Sequence, residues 1–116
     1  MANAPAPVFA IPAEEDGMPG AFRRCLSCHS STRGGANGIG PNLWGVVGRR
    51  AASGPGYNYS DSLRAEAERG LIWNRETLDR WLTRPRDMVP GTRMVMNGIP
   101  DPKDREALIA YLASRR

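Results

Sequence analysis

The chain has 116 residues, of which 41% are hydrophobic and 7% aromatic, and this length suits one domain rather than several. No stretch approaches the ~18 consecutive apolar residues of a membrane-spanning helix. Fifteen arginines and a single lysine, Lys103, give a net charge of +4, which favours anionic partners. No nucleic-acid-binding motif accompanies this charge, so we expect no nucleic-acid partner.

Residues 1–16, MANAPAPVFAIPAEED, are rich in proline and alanine and end in an acidic cluster. They lack both the basic start and the ~7–15-residue apolar centre of a secretory signal. This composition is typical of a linker. We therefore expect a linker over residues 1–16 and one folded domain over residues 17–116.

The segment around the two cysteines predicts a first helix. The helix begins at Gly20, reads GAFRRCLSCHSS, and cannot extend far back because of Pro19. Residues 32–59 contain glycine and proline too densely for regular structure, so we expect an extended loop that wraps the domain.

Both cysteines and the only histidine of the chain lie in this first helix, as Cys25-Leu26-Ser27-Cys28-His29. A structural zinc site takes four Cys or His ligands, and only three are present. A thioredoxin-like dithiol would stand beside a βαβ pattern, and no run of β-branched residues predicts a buried parallel strand. The third interpretation is covalent haem, in which both thiols bind vinyl groups and His29 binds the iron. The number of ligands favours this interpretation.

A second helix is predicted by its cap and its stop. Ser60 can cap a helix that runs through Arg69, and Gly70 can end it. Within this helix Arg64 and Glu68 have the i,i+4 spacing of an ion pair.

Two more helices are predicted downstream. Asn74 can cap one that ends before Pro85. Its apolar face consists of Leu78, Trp81 and Leu82. The last helix begins at Asp101 or Pro102 and runs to about Ala113. Its apolar stripe consists of Leu108, Ile109, Tyr111 and Leu112. Nothing in the pattern predicts a sheet, so we expect an all-α fold of three to five short helices.

If His29 binds iron, the opposite side of the iron needs a ligand or stays open. No second histidine exists, so the candidates are Lys103 and the methionines. The downstream methionines, which a loop could fold over a haem, are Met88, Met94 and Met96. Met94 follows a Pro90-Gly91 turn that can present a side chain inward. We predict Met94 as the ligand and keep Met96 as the alternative.

Taken together, these motifs resemble the class I cytochromes c of the mitochondrial-like long-loop type, including the soluble haem domains of membrane-anchored bacterial members. The matching stretches follow the family's order over residues 25–112. They are CLSCHS, GPNLWGVVGRR, GPGYNYS, GLIW, TLDRWL, PGTRM, NGI and REALIAYL. The resemblance implies a cytochrome c fold, with short helices around one covalent haem c.

The resemblance also implies roles for individual residues. Cys25 and Cys28 would form the thioethers, and His29 and Met94 would be the axial ligands. The Pro41 carbonyl would accept a hydrogen bond from His29, which fixes the imidazole and tunes its basicity. The positions that would surround the haem propionates are Arg49, Tyr59, Trp73 and Thr92. The positions that would form the apolar lining are Leu43, Leu78, Leu82 and Ile99.

The sequence departs from the family in several places. Trp81 replaces a tyrosine near the methionine sulfur, and an indole donates but does not accept a hydrogen bond, so we expect an altered potential or a more labile ligand. Ala21 stands where the family has an aromatic that packs on the last helix. Because Phe22 comes one position later, we expect this contact to differ. The chain is also slightly longer before Gly70.

The function that the resemblance implies is one-electron transfer without enzyme activity, between a quinol-oxidising complex and a terminal oxidase of a respiratory chain. His/Met ligation favours a raised potential, and two retained ligands keep reorganisation small. The alternative is a haem-based peroxidase or gas-binding sensor with an open or labile sixth position. No distal histidine or other acid–base group near Met94 supports that alternative.

Arginines near the expected haem edge predict a basic docking face for transient contact with acidic partners. They are Arg23, Arg24, Arg33, Arg84, Arg86 and Arg93. Covalent haem attachment in bacteria belongs to the oxidising side of the membrane, so we expect a monomer in the periplasm. We also expect an export signal or an inner-membrane anchor upstream of Met1, to which the linker would connect.

Overall fold

The computed structural model describes residues 18–26, 28–94 and 96–116, apart from the side chain of Arg24. The expected linker over residues 1–16 lies outside the described residues. Regular structure begins with a 3-10 helix, Gly20–Arg24. Four α-helices follow in the described ranges: α1, Asp61–Glu68; α2, Arg75–Thr83; α3, Pro85–Met88; and α4, Pro102–Ser114. The all-α prediction is confirmed, since the β pairing in these ranges is one isolated bridge between Arg50 and Ile72.

The first helix is shorter than predicted. The Phe22 N–H bonds to the Pro19 carbonyl at 3.0 Å, and the Cys25 N–H bonds to the Phe22 carbonyl at 2.8 Å. Both bonds have the three-residue spacing of a 3-10 helix, which rarely persists beyond one turn. The predicted helix from Gly20 through the cysteine motif is therefore wrong in its length.

Ser60 caps α1 as predicted, because its hydroxyl accepts a hydrogen bond from the Leu63 N–H at 3.2 Å. The predicted ion pair within this helix is wrong, since Arg64 pairs with Asp61 at 3.4 Å rather than with Glu68. Side chains on a helix lean toward its N-terminus, which brings the arginine to the preceding turn.

Asn74 caps α2 as predicted and forms a full capping box with Thr77. The Asn74 Oδ1 accepts from the Thr77 N–H at 2.9 Å, and the Thr77 Oγ1 accepts from the Asn74 N–H at 2.8 Å. The helix ends before Pro85, also as predicted. Pro85 then begins α3, which was not predicted, because proline suits the first position of a helix as well as it ends the previous one.

Helix α4 packs against both α2 and the 3-10 helix. Arg105 of α4 donates its Nε–H to Asp79 of α2 at 2.7 Å, and the rings of Phe22 and Tyr111 lie 5.2 Å apart. Phe22 thus makes the aromatic contact with the last helix. The core comprises Phe22, Val46, Ala51, Ala67, Trp73, Leu78, Trp81, Leu82, Val89, Ile99, Leu108, Ile109, Tyr111 and Leu112. Within the described part of the chain, no helix has the length and apolar character to cross a bilayer.

The segment that joins α3 to α4 passes tightly against the end of α2. The Ile99 N–H bonds to the Leu82 carbonyl at 2.7 Å. Gly98 has a φ of 125°, and a Cβ at this position would lie 2.0 Å from the Thr83 carbonyl oxygen. Glycine is therefore required here both by conformation and by space.

Candidate metal centre

Cys25, Cys28 and His29 lie on one helical turn. The N–H groups of Cys28 and His29 both bond to the Cys25 carbonyl, at 3.0 and 2.8 Å. Residues three apart on such a turn share a face, so the two half-buried thiols lie on the same side of the chain. The turn therefore groups two thiols and an imidazole, as the spacing predicts.

The imidazole of His29 is held by the backbone of Pro41. Its Nδ1 lies 2.7 Å from the Pro41 carbonyl oxygen. Because a carbonyl only accepts, Nδ1 must carry the proton, and Nε2 keeps its lone pair for a ligand. Burial lowers the pKa of the His29 imidazole, and the hydrogen bond to the Pro41 carbonyl opposes part of this shift. The neutral form that binds metals is thus favoured.

Gly40 lies directly against the nitrogen-bearing edge of the His29 ring. A Cβ at Gly40 would lie 2.3 Å from Cε1 of the ring. The Gly40 N–H also bonds to the Cys28 carbonyl at 2.8 Å, which joins this loop to the cysteine turn. The backbone of Gly40 therefore leaves no room for a Cβ, and a larger residue would displace the imidazole.

Met94 follows a turn that its neighbours stabilise. The Thr92 N–H bonds to the Val89 carbonyl at 3.1 Å, and the Thr92 hydroxyl accepts from the Met94 N–H at 3.2 Å. Gly91, at a φ of 91°, allows the turn. Met94 and Met96 are both half-buried and both pack against the core. The choice between them stays a prediction.

Three of the residues assigned to the haem propionates lie together. The Trp73 N–H bonds to the Arg49 carbonyl at 2.9 Å, and the Tyr59 hydroxyl accepts from the Gly54 N–H at 2.9 Å. A Cβ at Gly54 would lie 2.3 Å from the Tyr59 hydroxyl oxygen and 3.8 Å from a terminal nitrogen of Arg49. Tyr59 and the end of the Arg49 side chain thus both lie on the side of Gly54 where its Cβ would be.

The fourth propionate residue, Thr92, belongs to the Met94 turn. The next residue, Arg93, donates a hydrogen bond to the backbone carbonyl of Asn58, which directly precedes Tyr59. This hydrogen bond connects the Met94 turn to the loop that contains Tyr59.

The apolar residues of the prediction occupy the core or its edge. Trp73 and Trp81 pack edge to face, with ring centroids 5.4 Å apart. Those that are buried are Trp73, Leu78, Trp81, Leu82 and Ile99, and Leu43 is half-buried against them. The predicted lining positions are thus contiguous with one core.

The residues present fit a covalent haem. Two thiols could bind the vinyl groups, and an imidazole nitrogen and a thioether could bind the iron. The core offers a contiguous apolar surface for the porphyrin. Arg49 has a buried Nε with no hydrogen-bond partner among the described residues, and a propionate would satisfy it. Within the described ranges no group of three His, Cys, Asp or Glu side chains could hold a metal ion. Iron at this site would therefore depend on a porphyrin for most of its ligands.

The arginines of the predicted docking face are partly engaged. Arg23, Arg33, Arg84, Arg86 and Arg93 are exposed, and the side chain of Arg24 lies outside the described part. Arg84 pairs with Asp87 at 3.3 Å, and Arg93 bonds to the loop before α1. That these charges form one face stays a prediction.

Several residues of the site were not identified from the sequence. Gly40 could have been recognised, because a glycine directly before Pro41 permits a close approach to the ring. Ile39, 76% exposed, gave no signal, since single exposed apolar residues are common. Arg115 gave none either, because its contact with the Trp44 ring, at 5.1 Å from the ring centroid, forms only in the folded chain.

A family model described as cytochrome c matches residues 19–116. Cytochrome c2 from Agrobacterium tumefaciens is 40% identical over 92 residues, which cover 79% of this chain and 83% of that protein. Cytochrome c2 iso-2 from Magnetospirillum fulvum is 44% identical over 96 residues, covering 83% and 96%. The solved structure of cytochrome cH from Methylobacterium extorquens is 45% identical with a TM-score of 0.72, covering 81% and 91%.

Proposed function

The chain belongs to the cytochrome c family, and on that premise we propose that it carries single electrons between a quinol-oxidising complex and a terminal oxidase. The family binds haem c covalently through a cysteine pair, which Cys25 and Cys28 supply here. The haem supplies an iron atom that takes up and releases one electron. Members of the family are in general electron carriers rather than enzymes.

The hydrogen bond between His29 and Pro41 carries this proposal. It assigns the proton to Nδ1 and leaves Nε2, on the opposite side of the ring, to bind iron. The same bond raises the basicity of the imidazole and prevents the ring from turning. A ligand held in this way keeps its position when the charge on the iron changes, which favours fast electron transfer.

Met94 is the proposed second axial ligand. The hydrogen bond from the Met94 N–H to Thr92 and the one from Arg93 to Asn58 restrict the backbone on which the thioether is carried. Together with an imidazole, a thioether ligand would favour the ferrous state of a bound haem iron and raise its reduction potential.

Arg49, Tyr59, Trp73 and Thr92 are the proposed neighbours of the haem propionates. A buried arginine nitrogen without a partner is costly, and a carboxylate offsets that cost. The grouping of Arg49, Tyr59 and Gly54 supports one shared carboxylate-binding region.

We place the protein in the bacterial periplasm as a monomer that docks transiently on acidic partners. The exposed arginines supply the charge for steering. Ile39 adds an exposed apolar contact close to the cysteine turn, because its neighbour Gly40 bonds to Cys28. Attachment to the inner membrane through residues upstream stays a prediction.

The ligand assignment can be tested by absorption spectroscopy of the ferric protein. Met94→Ala should abolish the weak iron–sulfur band at the red edge, and Met96→Ala should retain it. The ferrous wild-type protein should not bind carbon monoxide or turn over peroxide rapidly. Loss of the band in Met96→Ala would reassign the ligand, and rapid carbon monoxide binding would favour the peroxidase or sensor instead.

A further inference from the structure

The turn that contains Cys25, Cys28 and His29 is called the attachment turn below. The C-terminal end of α4 contacts the chain on both sides of this turn. The Tyr111 hydroxyl and the Ser31 Oγ are 2.9 Å apart, and both residues are buried, at 5% and 3% exposure. The Tyr111 ring also packs on Phe22 at 5.2 Å. Phe22 lies three residues before Cys25, and Ser31 lies two residues after His29. One tyrosine therefore touches the chain just before and just after the attachment turn.

Arg115, at the end of α4, completes this arrangement. Its guanidinium carbon lies 5.1 Å from the ring centroid of Trp44 and 5.3 Å from that of Tyr111. Its Nε–H donates to the Ser31 carbonyl at 3.2 Å, and its own carbonyl accepts from the Gly45 N–H at 2.6 Å. Arg115 is thus bonded to two separate segments of the loop region at once.

These two segments are the ones that hold the His29 hydrogen bond. Ser31 follows His29 by two residues, and Gly45 follows Pro41 by four. A further bond, from the Leu43 N–H to the Ser30 carbonyl at 2.8 Å, runs between the same segments. Any change in their separation would alter the distance between Nδ1 and the Pro41 carbonyl.

We propose that Arg115 is a positioning residue for the proximal ligand: it sets the separation of the segments that contain His29 and Pro41. The inference rests on the proposed role of His29 as an iron ligand. The arginine touches neither the imidazole nor the Pro41 carbonyl, and it acts through Ser31 and Gly45. Its planar guanidinium suits this task, because it stacks on two rings while its Nε donates sideways.

The test uses the haem-loaded protein and follows the Nδ1 proton of His29 by NMR in the ferrous state. In Arg115→Ala, exchange of this proton with water should be about tenfold faster, because one hydrogen bond and two cation–π contacts are lost. Arg116→Ala is the matched control, since it removes the same charge from the next, exposed residue. It should leave the exchange rate unchanged.

Two further variants keep the test informative if Arg115→Ala folds poorly. Arg115→Lys retains the charge but loses the planar stacking, and Tyr111→Phe removes only the hydroxyl. Both should accelerate exchange by a smaller factor. Arg115→Lys should also raise the reduction potential, because a weaker bond at Nδ1 makes the imidazole a poorer donor to iron.

Unchanged exchange and unchanged potential in both Arg115 variants would overturn the proposal. The wild-type spectrum shows separately whether His29 binds the iron. The ratio of variant to wild-type exchange rates measures the effect of Arg115 on the hydrogen bond from Nδ1 to the Pro41 carbonyl. This ratio is meaningful whether or not His29 binds iron, because the hydrogen bond does not itself require iron.

Discussion

Arg105 joins Asp79 through a hydrogen bond of 2.7 Å from its Nε, and its Nη1 bonds to the carbonyls of Ile99 and Pro100 at 2.8 and 3.0 Å. One side chain therefore ties α4 both to α2 and to the segment that contains a proposed haem-lining residue. The Arg105 side chain is 13% exposed and that of Asp79 47%, so the guanidinium is shielded from water more than the carboxylate is.

Arg105→Ala should lower the free energy of unfolding by about 2–3 kcal/mol, because it leaves a carboxylate and two carbonyls without their donor. Denaturant titration of the haem-loaded protein measures this loss. Arg75→Ala is the control, since the pair of Arg75 with Glu106 also involves α4 but is 61% and 60% exposed. It should cost no more than about 0.5 kcal/mol. Equal losses in the two variants would contradict a special stabilising role for the Arg105 hydrogen bonds.

Gly98→Ala should destabilise the protein by more than about 2 kcal/mol, because the added Cβ would collide with the Thr83 carbonyl at a positive φ. Relief of the clash would require the Ile99 N–H to leave the Leu82 carbonyl. Thermal unfolding measures the effect. Gly20→Ala, where no described atom beyond the chain neighbours lies within 4 Å of the new Cβ, should be nearly neutral. A tolerated alanine at position 98 would refute this account of the loop.

Arg49→Met should lower the reduction potential, because it removes a positive charge beside the proposed propionate region and so stabilises the more positive ferric haem. Voltammetry of the purified protein gives the potential directly. Arg50→Met makes the same change in charge at the next, exposed position and should shift the potential much less. If the two shifts are equal, Arg49 has no special relation to the haem.

Arg23→Glu and Arg86→Glu should slow the reaction of the reduced protein with a terminal oxidase, and the wild-type rate should fall as salt rises. Stopped-flow mixing over a range of ionic strength measures both effects. Arg80→Glu makes an equal change in charge at an exposed position of α2. It is the control and should slow the reaction less. A wild-type rate that does not depend on salt would rule out electrostatic docking.

Ile39→Ser should reduce the same rate by several-fold even at high salt, while leaving the reduction potential unchanged. The Ile39 side chain is 76% exposed, yet its backbone is held, because the Tyr57 hydroxyl donates to its carbonyl and Gly38 bonds to Gly40. A preorganised apolar residue gains affinity without an ordering cost. Ile72→Ser removes the second exposed isoleucine of the described residues and should have no effect on the rate. Equal effects of the two substitutions would argue against a specific contact.

The parts of the fold that the sequence predicted correctly depend on neighbouring residues. Ser60 and Asn74 cap helices through hydrogen bonds to residues three positions away. A few neighbouring residues in the sequence are therefore enough to predict these caps. Helix α3 was missed because four residues are too few to show a period. Pro85 ended one helix in the prediction and in fact also begins the next.

The arrangement of the site was only partly predictable. The contact of His29 with Pro41 was expected from the resemblance alone, since nothing local relates residues twelve positions apart. The contacts of Arg105 with Asp79 and of Arg115 with Ser31 span 26 and 84 positions, and they exist only once α4 has packed. The position of a long charged side chain within a fold is not fixed by its own neighbours in sequence.

Tyr111 contacts the chain on both sides of the attachment turn, and from this we expect a fixed order of maturation. Phe22 and Ser31, on either side of the turn, are both covered by α4 in the folded chain. The enzymes that join haem to the thiols need access to Cys25 and Cys28, which is greatest before α4 docks. We therefore expect α4 to dock after haem attachment and to limit later access to Cys25 and Cys28.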